Sequence, residues 1–353
     1  MLTRRQTIMT GIAGALAAAV AGGAHVARAA ARVPYGACVR GDPLAAEADY
    51  RAALRDYCQQ ITPEGGLYWV DLRPTRDQFK FEIADAIVAF AEANGMRARG
   101  HTLVWYGAMP DWTKEIASAR VAERELTSHI ERVMSRYRGK IRTWHVLNEP
   151  IDDHKGSVPG LRPSVWLRHL GERYIDLAFR IARQADPSAE LVINEYDIEC
   201  ADADQPKKRQ AFLKLIRDLL DRGVPLHGVG LQGHIRGQLQ IDRDGLYSFV
   251  SELRSYGLSV HVTELDVIDD QLPGPVEVRD LVVAARVHDF LEPIFAAVRP
   301  AVVATWGISD RYTWVPIHFK RKDGQPNRPL PLDHNYRPKP FWNVVDFFCG
   351  KAA

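Results

Sequence analysis

The chain has 353 residues, 46% hydrophobic and 25% charged, with a formal net charge of +2. That composition supports one large folded core and excludes a disordered or low-complexity protein. A charge this close to balance, with no polybasic block, also excludes an electrostatic footprint for nucleic acid.

Thr3–Arg4–Arg5–Gln6 precedes an apolar, alanine-rich run from Ile8 to Val20, and Ala27–Arg28–Ala29 follows as a small-x-small cleavage site. This reads as an export signal of twin-arginine type over residues 1–29, leaving 30–353 as one mature domain. An uncleaved anchor is the other reading, but the run falls short of the roughly 20 residues a span requires. The expected product is a periplasmic or secreted monomer with no membrane attachment. Cleavage removes Arg4, Arg5 and Arg28 and no acid, so the formal charge goes from +2 to −1. Cys38, Cys58, Cys200 and Cys349 would then meet an oxidising compartment, where three full pairings, or none, are open. No CxxC pair exists, so a structural zinc site is not expected; the reading as a whole calls for no metal and no other cofactor.

From Tyr35 onward strands and helices alternate. Pro34 to Val39 is the first strand, and Glu47 to Gln59 carries helical spacing at Tyr50, Leu54 and Tyr57. Ile61–Thr62–Pro63–Glu64 ends a second short unit. Phe81 to Ala93 is a helix stopped by Asn94–Gly95, followed by a strand from Arg97 to Val104. A helix over Glu123–Tyr137 leads to a strand over Ile141–Leu147. A helix over Trp166–Ala185 leads to a strand over Glu190–Glu195, and one over Lys208–Asp221 to a strand over Val229–Gln232. Leu246–Tyr256 precedes Ser259–Glu264, and Val278–Val298 precedes Ala301–Trp306. Such alternation predicts an α/β fold of the (β/α)8 TIM-barrel type. A doubly wound open sheet would alternate too, but no GxGxxG follows the first strand.

Chemistry gathers where these strands end. Trp144–His145–Val146–Leu147–Asn148–Glu149–Pro150 is a buried strand that Pro150 stops, presenting Glu149 at a rim. Val260–His261–Val262–Thr263–Glu264–Leu265–Asp266 does the same with Glu264. The two glutamates lie on the order of a hundred residues apart, about three βα units, which places them on one catalytic face. Paired carboxylates across a groove are the apparatus of glycosidic cleavage. His101, Trp105, Asn194, Gln232, His234, Asp266 and Trp306 fall at other strand ends, where core-facing residues are expected to be aliphatic.

Arg99–Gly100–His101–Thr102–Leu103–Val104–Trp105, Asn148–Glu149–Pro150, Gly230–Leu231–Gln232–Gly233–His234, Thr263–Glu264–Leu265–Asp266 and Thr305–Trp306–Gly307–Ile308–Ser309–Asp310 together resemble the glycoside hydrolase family 10 xylanases, from about Tyr35 to Trp342. The resemblance implies a retaining endo-1,4-β-xylanase acting on a polysaccharide or oligosaccharide. It makes Glu149 the acid/base and Glu264 the nucleophile. Asn148 would meet the sugar 2-hydroxyl, His234 backed by Asp266 would orient the nucleophile, and Gln232, His101 and Glu64 would bind sugar. Trp105, Trp306 and Trp314 would form aromatic walls for pyranose faces.

Three departures from the family pattern stand out. Glu64–Gly65–Gly66–Leu67–Tyr68–Trp69 lacks the asparagine and lysine that grip the −2 sugar; Tyr106 replaces a histidine; His145 replaces an aspartate. Tyr68 and Tyr106 are expected to exchange polar grips for stacking. The alternatives are a barrel glycosidase for β-glucan or short oligosaccharides, a silent carbohydrate-binding barrel, and a metal hydrolase built on His101, His145, His234 and His261. Intact glutamates oppose the second. Against the third stand the absence of HxH and HExxH signatures and the strand pleat, which sets His261 opposite Glu264.

Overall fold

The computed structural model describes residues 32–152 and 160–350, so the signal assigned to residues 1–29 lies outside the described residues. Eight parallel strands close on themselves: β1 (Tyr35–Arg40), β2 (Gln60–Glu64), β3 (Arg97–Val104), β4 (Ile141–Asn148), β5 (Glu190–Glu195), β6 (Gly228–Leu231), β8 (Ser259–Ile268) and β9 (Val303–Thr305). β9 pairs with β1, with Gly36 opposite Ala304, which completes the barrel. A short β7 (His234–Arg236) continues beyond β6 and pairs with the end of β8, His234 opposite Asp266. This closure is the expected TIM barrel.

The principal helices are α1 (Ala48–Tyr57), α2 (Glu82–Ala93), α3 (Ala119–Tyr137), α4 (Arg173–Ala185), α5 (Gln205–Asp221), α6 (Arg243–Ser255), α7 (Val276–Ala297) and α8 (Pro340–Cys349). Each turns an apolar stripe inward; α4 buries Tyr174, Ile175, Ala178, Phe179 and Ala182 at helical spacing. The helix expected over Trp166–Ala185 is two: Val165–Leu170 ends at Gly171, whose φ of 60° breaks the ladder before α4 begins. The last barrel strand is shorter than expected and β8 longer, its extra residues pairing with β7. All four cysteines are buried as thiols.

Aliphatic residues do not fill the whole barrel interior. Arg99, His145 and His261, all at most 1% exposed, occupy its axis beneath the catalytic rim. His261 and Glu264 also belong to one inward-facing network, contrary to the pleat argument, because the β8–β9 register shifts between Val262 and Leu265. Among the described residues no helix is long and apolar enough to cross a membrane.

One close approach fixes β3 against β4. A Cβ on Gly100 would lie 2.0 Å from Trp144 Cε3, inside an indole that is itself 1% exposed. Gly100→Ala is therefore expected to lower stability by about 3 kcal/mol through overpacking, read as a lower urea midpoint at unchanged slope.

Candidate active site

The rim of the barrel opens into a cleft of about 570 Å³ lined by Glu149, Glu264, Asn148, Gln232, His101 and His234. Tyr68, Trp105, Tyr106, Tyr196, Trp306 and Trp314 supply its aromatic surface. Flat apolar rings beside a few fixed polar groups suit sugars, whose C–H faces pack on aromatics while their hydroxyls need partners.

Glu149 follows the last residue of β4 at a φ of 55°, a left-handed conformation uncommon outside glycine. Its N–H donates to the Asn194 carbonyl at 2.8 Å, and its own carbonyl accepts from Arg162 Nε at 3.0 Å. Arg162 also donates to the Ile151 carbonyl and the Tyr196 hydroxyl, so this buried guanidinium holds the turn that aims Glu149. Its role was not visible in the sequence, where it is one arginine in a loop.

Three donors meet the Glu149 carboxyl. Asn148 Nδ2 and Gln232 Nε2 reach Oε1 at 3.0 and 3.1 Å, and Trp105 Nε1 reaches Oε2 at 2.8 Å. Burial nevertheless pushes its pKa up to about 7, helped by the charges of Glu195 and Glu264, against the hydrogen bonds from Gln232 and Trp105. A proton donor at neutral pH results. Trp105 is thus more than a stacking wall. Trp105→Phe removes a donor that favours the ionised form, so the alkaline limb of the kcat/KM profile should move up by about one pH unit.

Glu264 receives the opposite treatment. Asn194 Nδ2 donates to Oε1 at 2.6 Å and His234 Nε2 lies 3.3 Å from Oε2. Burial acts to raise its pKa, but the surrounding groups, the His234 charge and the hydrogen bonds from His234 and Asn194 among them, outweigh it and hold the carboxylate below its ordinary value. His234 is in turn kept well above the usual histidine range, against burial, by Asp266 and Glu264. Its Nδ1 donates to Asp266 Oδ1 at 2.9 Å, while Trp314 Nε1 fixes the other Asp266 oxygen at 2.7 Å. Asp266, His234 and Glu264, the residues expected to act together, thus lie in one chain of contacts.

Asn194, noticed at a strand end but assigned no role, joins the two halves. Thr263 Oγ1 donates to its Oδ1 at 2.7 Å, which turns its Nδ2 toward both Glu264 and Asn148 Oδ1, 2.8 Å away. The same contact orients Asn148 so that its own Nδ2 faces Glu149. Amide links thereby run from nucleophile to acid.

Glu64 is not brought into the lining. Its carboxylate faces Cys38 Sγ at 3.9 Å at the end of β2, and burial raises its pKa to about 7. Tyr68 packs edge-on against His101 and tilted against Trp105, at 5.8 and 5.5 Å between ring centres. Tyr106 is 41% exposed with the Arg162 guanidinium 4.6 Å from its ring centre. Trp306 sits between His101 and His234, at 5.1 and 6.4 Å.

His101, His145 and Glu264 place three potential ligand atoms within 4.8 Å of one another. The two imidazole Nδ1 atoms are 2.8 Å apart, hydrogen-bond distance, and the Arg99 cation abuts His145. That donor set suits a shared proton better than a divalent ion.

A parallel barrel whose rim sets one protonated and one ionised carboxylate in an aromatic cleft defines a glycoside hydrolase. Residues 24–347 match the sequence model of the family described as glycosyl hydrolase family 10. Endo-1,4-beta-xylanase B of Paenibacillus barcinonensis is 35% identical over 327 residues, which cover 88% of this chain and 94% of that protein. The exoglucanase XynX of Acetivibrio thermocellus is 36% identical over 303 residues, 81% of this chain and 26% of that much longer protein. Among solved structures, native xylanase 10B of Thermotoga maritima superposes with a TM-score of 0.81 at 31% identity, covering 90% of this chain and 95% of that one. Xylanase 10B of Thermotoga petrophila in complex with xylobiose gives 0.80 at 29% identity, with 92% and 98% covered. The chain belongs to glycosyl hydrolase family 10.

Proposed function

We propose that the protein is a retaining endo-1,4-β-xylanase that cuts internal β-1,4 bonds of xylan by double displacement, acting as an exported monomer. The observation that carries this reading is the division of labour between Glu149, protonated near neutrality, and Glu264, ionised by its neighbours. Glu264 attacks the anomeric carbon while Glu149 gives its proton to the departing glycosidic oxygen. The glycosyl ester that forms on Glu264 no longer carries charge, so one influence raising the Glu149 pKa disappears. Glu149 then accepts a proton from the incoming water, and hydrolysis restores both groups. Asn148 offers the 2-hydroxyl contact that strengthens as positive charge develops on the ring.

The names of the relatives and the xylobiose held by the Thermotoga petrophila enzyme support xylan as the substrate. Export rests on the twin-arginine pattern and cleavage site of the sequence. Reducing-sugar release from xylan and from β-glucan, with Glu264→Ala as blank, tests the activity; xylan cleavage lost in the variant is the expected result. Cleavage of β-glucan alone would favour a second reading, motivated by Tyr68 and Tyr106 in place of polar −2 residues and by the exoglucanase relative. If Tyr68→Lys leaves the preference between xylo- and gluco-oligosaccharides unchanged, those tyrosines do not set it.

A further inference from the structure

Beneath the two glutamates runs a column of buried polar groups that the double-displacement scheme does not use. Arg99 Nη1 lies 3.0 Å from His145 Nε2, and Arg99 Nη2 lies 2.8 Å from His261 Nδ1. His145 Nδ1 is 2.8 Å from His101 Nδ1. At the far end His261 Nε2 faces Glu190 Oε1 at 3.2 Å and Ser259 Oγ at 2.8 Å.

A guanidinium only donates, so every nitrogen facing Arg99 must accept. His145 is then neutral with its proton on Nδ1, and that N–H donates to His101 Nδ1. His101 must in turn be neutral with its proton on Nε2. His261 carries its own proton on Nε2, matching the carboxylate it meets. Burial lowers the pKa of Arg99 only to about 10, so it stays charged, while burial and the Arg99 charge hold His145 well below the histidine range. His101 Nε2 has no partner among the described residues and keeps some exposure to solvent; it therefore opens into the cleft that His101 lines.

We infer that His145, set by Arg99, is a positioning residue that locks His101 as a neutral Nε2–H donor to the sugar. An aspartate at 145 would accept from His101 Nδ1 instead, leaving neutral His101 with no proton to offer the cleft. Groups facing His101 from other elements are Glu264 on β8, with Nδ1 3.8 Å from Oε1, His234 on β7, and the Tyr68 and Trp306 rings. A lone pair at Nδ1 cannot bond Glu264, so His234 and Asn194 keep the nucleophile ionised.

Nitrogen-15 NMR of the mature protein labelled in histidine tests this without any substitution. His101 Nε2 should show a protonated, pyrrole-like shift and Nδ1 an unprotonated one across neutral and alkaline pH. His145→Asn can still accept from Arg99 and donate to His101, so it should preserve that tautomer. His145→Asp should move the neutral-state proton to Nδ1 and turn the alkaline limb of kcat/KM from one ionisation to two, with about a tenfold loss above neutrality. A protonated His101 Nδ1 in the unaltered enzyme overturns the inference, as does an unchanged tautomer in folded His145→Asp.

A different observation concerns Arg236, which ends β7 and lines the cleft. Its guanidinium lies 4.2 Å from the Phe319 ring centre, and among the described residues it has no hydrogen bond or ion pair to an acid. An uncompensated guanidinium beside sugar-binding aromatics suits a carboxylate. Building on the xylanase reading, the geometry points to recognition of a uronic acid substituent on the xylan chain. Native glucuronoxylan and the same polymer after chemical reduction of its carboxyl groups isolate that charge. The native form should be preferred about tenfold in kcat/KM, a ratio that collapses toward one in Arg236→Gln. Equal rates on the two polymers overturn the inference, whereas loss of all cleavage, on linear xylohexaose too, overturns the xylanase reading. In that event, calorimetry with a uronate-bearing xylo-oligosaccharide decides: weaker binding to Arg236→Gln supports the site and equal binding removes it.

Discussion

Glu264→Ala should lower kcat on xylan by about 10⁴-fold or more while the protein melts cooperatively. The size follows from the role, because among the described residues no other carboxylate in the cleft is held ionised by His234 and Asn194 together. Removal deletes the covalent step, and Glu149 is committed to the opposite proton inventory. Stereochemistry makes the test specific. Each displacement inverts the anomeric carbon, so azide filling the space left by Glu264 should yield an α-glycosyl azide. In Glu149→Ala, azide instead attacks the glycosyl ester on Glu264, and two inversions give the β product. Recovery of the β product from Glu264→Ala would reassign the two glutamates.

Glu149→Ala should cost about 10² to 10⁴ in kcat/KM on xylan, where the departing sugar hydroxyl needs a proton. Aryl xylosides with acidic leaving groups need little proton donation, so their glycosylation step should be nearly spared and the glycosyl ester should accumulate as a burst. The pH profile carries a second signature. Glu149 works protonated and its pKa lies at about 7, so activity falls as pH rises through that value. Glu264 works ionised and is held below the ordinary glutamate value, so activity falls as pH drops through that lower range. Loss of the alkaline limb in Glu149→Ala, with the acid limb retained, is the expected outcome. A limb that persists unchanged would assign it to another group.

The barrel and its two glutamates were legible because the signals are local. A buried parallel strand is a short apolar run, a rim residue follows it directly, and Pro150 marks where the β4 ladder ends. Eight repetitions with helical spacing between them leave few topologies. Helix ends were read less well where one residue decides them, as at Gly171, since apolar spacing continues across the break.

The chain's order of residues determined the fold class, the pair of rim glutamates proposed as catalytic and the aromatic cleft, since each depends on residue type at a strand end. Tertiary structure alone decided how those groups are tuned. Arg162 tying the Glu149 turn to Tyr196, Asn194 linking both carboxyls, and Arg99 dictating the protons of His145 and His101 all join residues from different strands or loops. It also overturned the pleat argument for His261, because a register shift in β8 turns His261 and Glu264 inward together. Hydrogen bonds act over about 3 Å, and only closure of the barrel brings such distant residues that near.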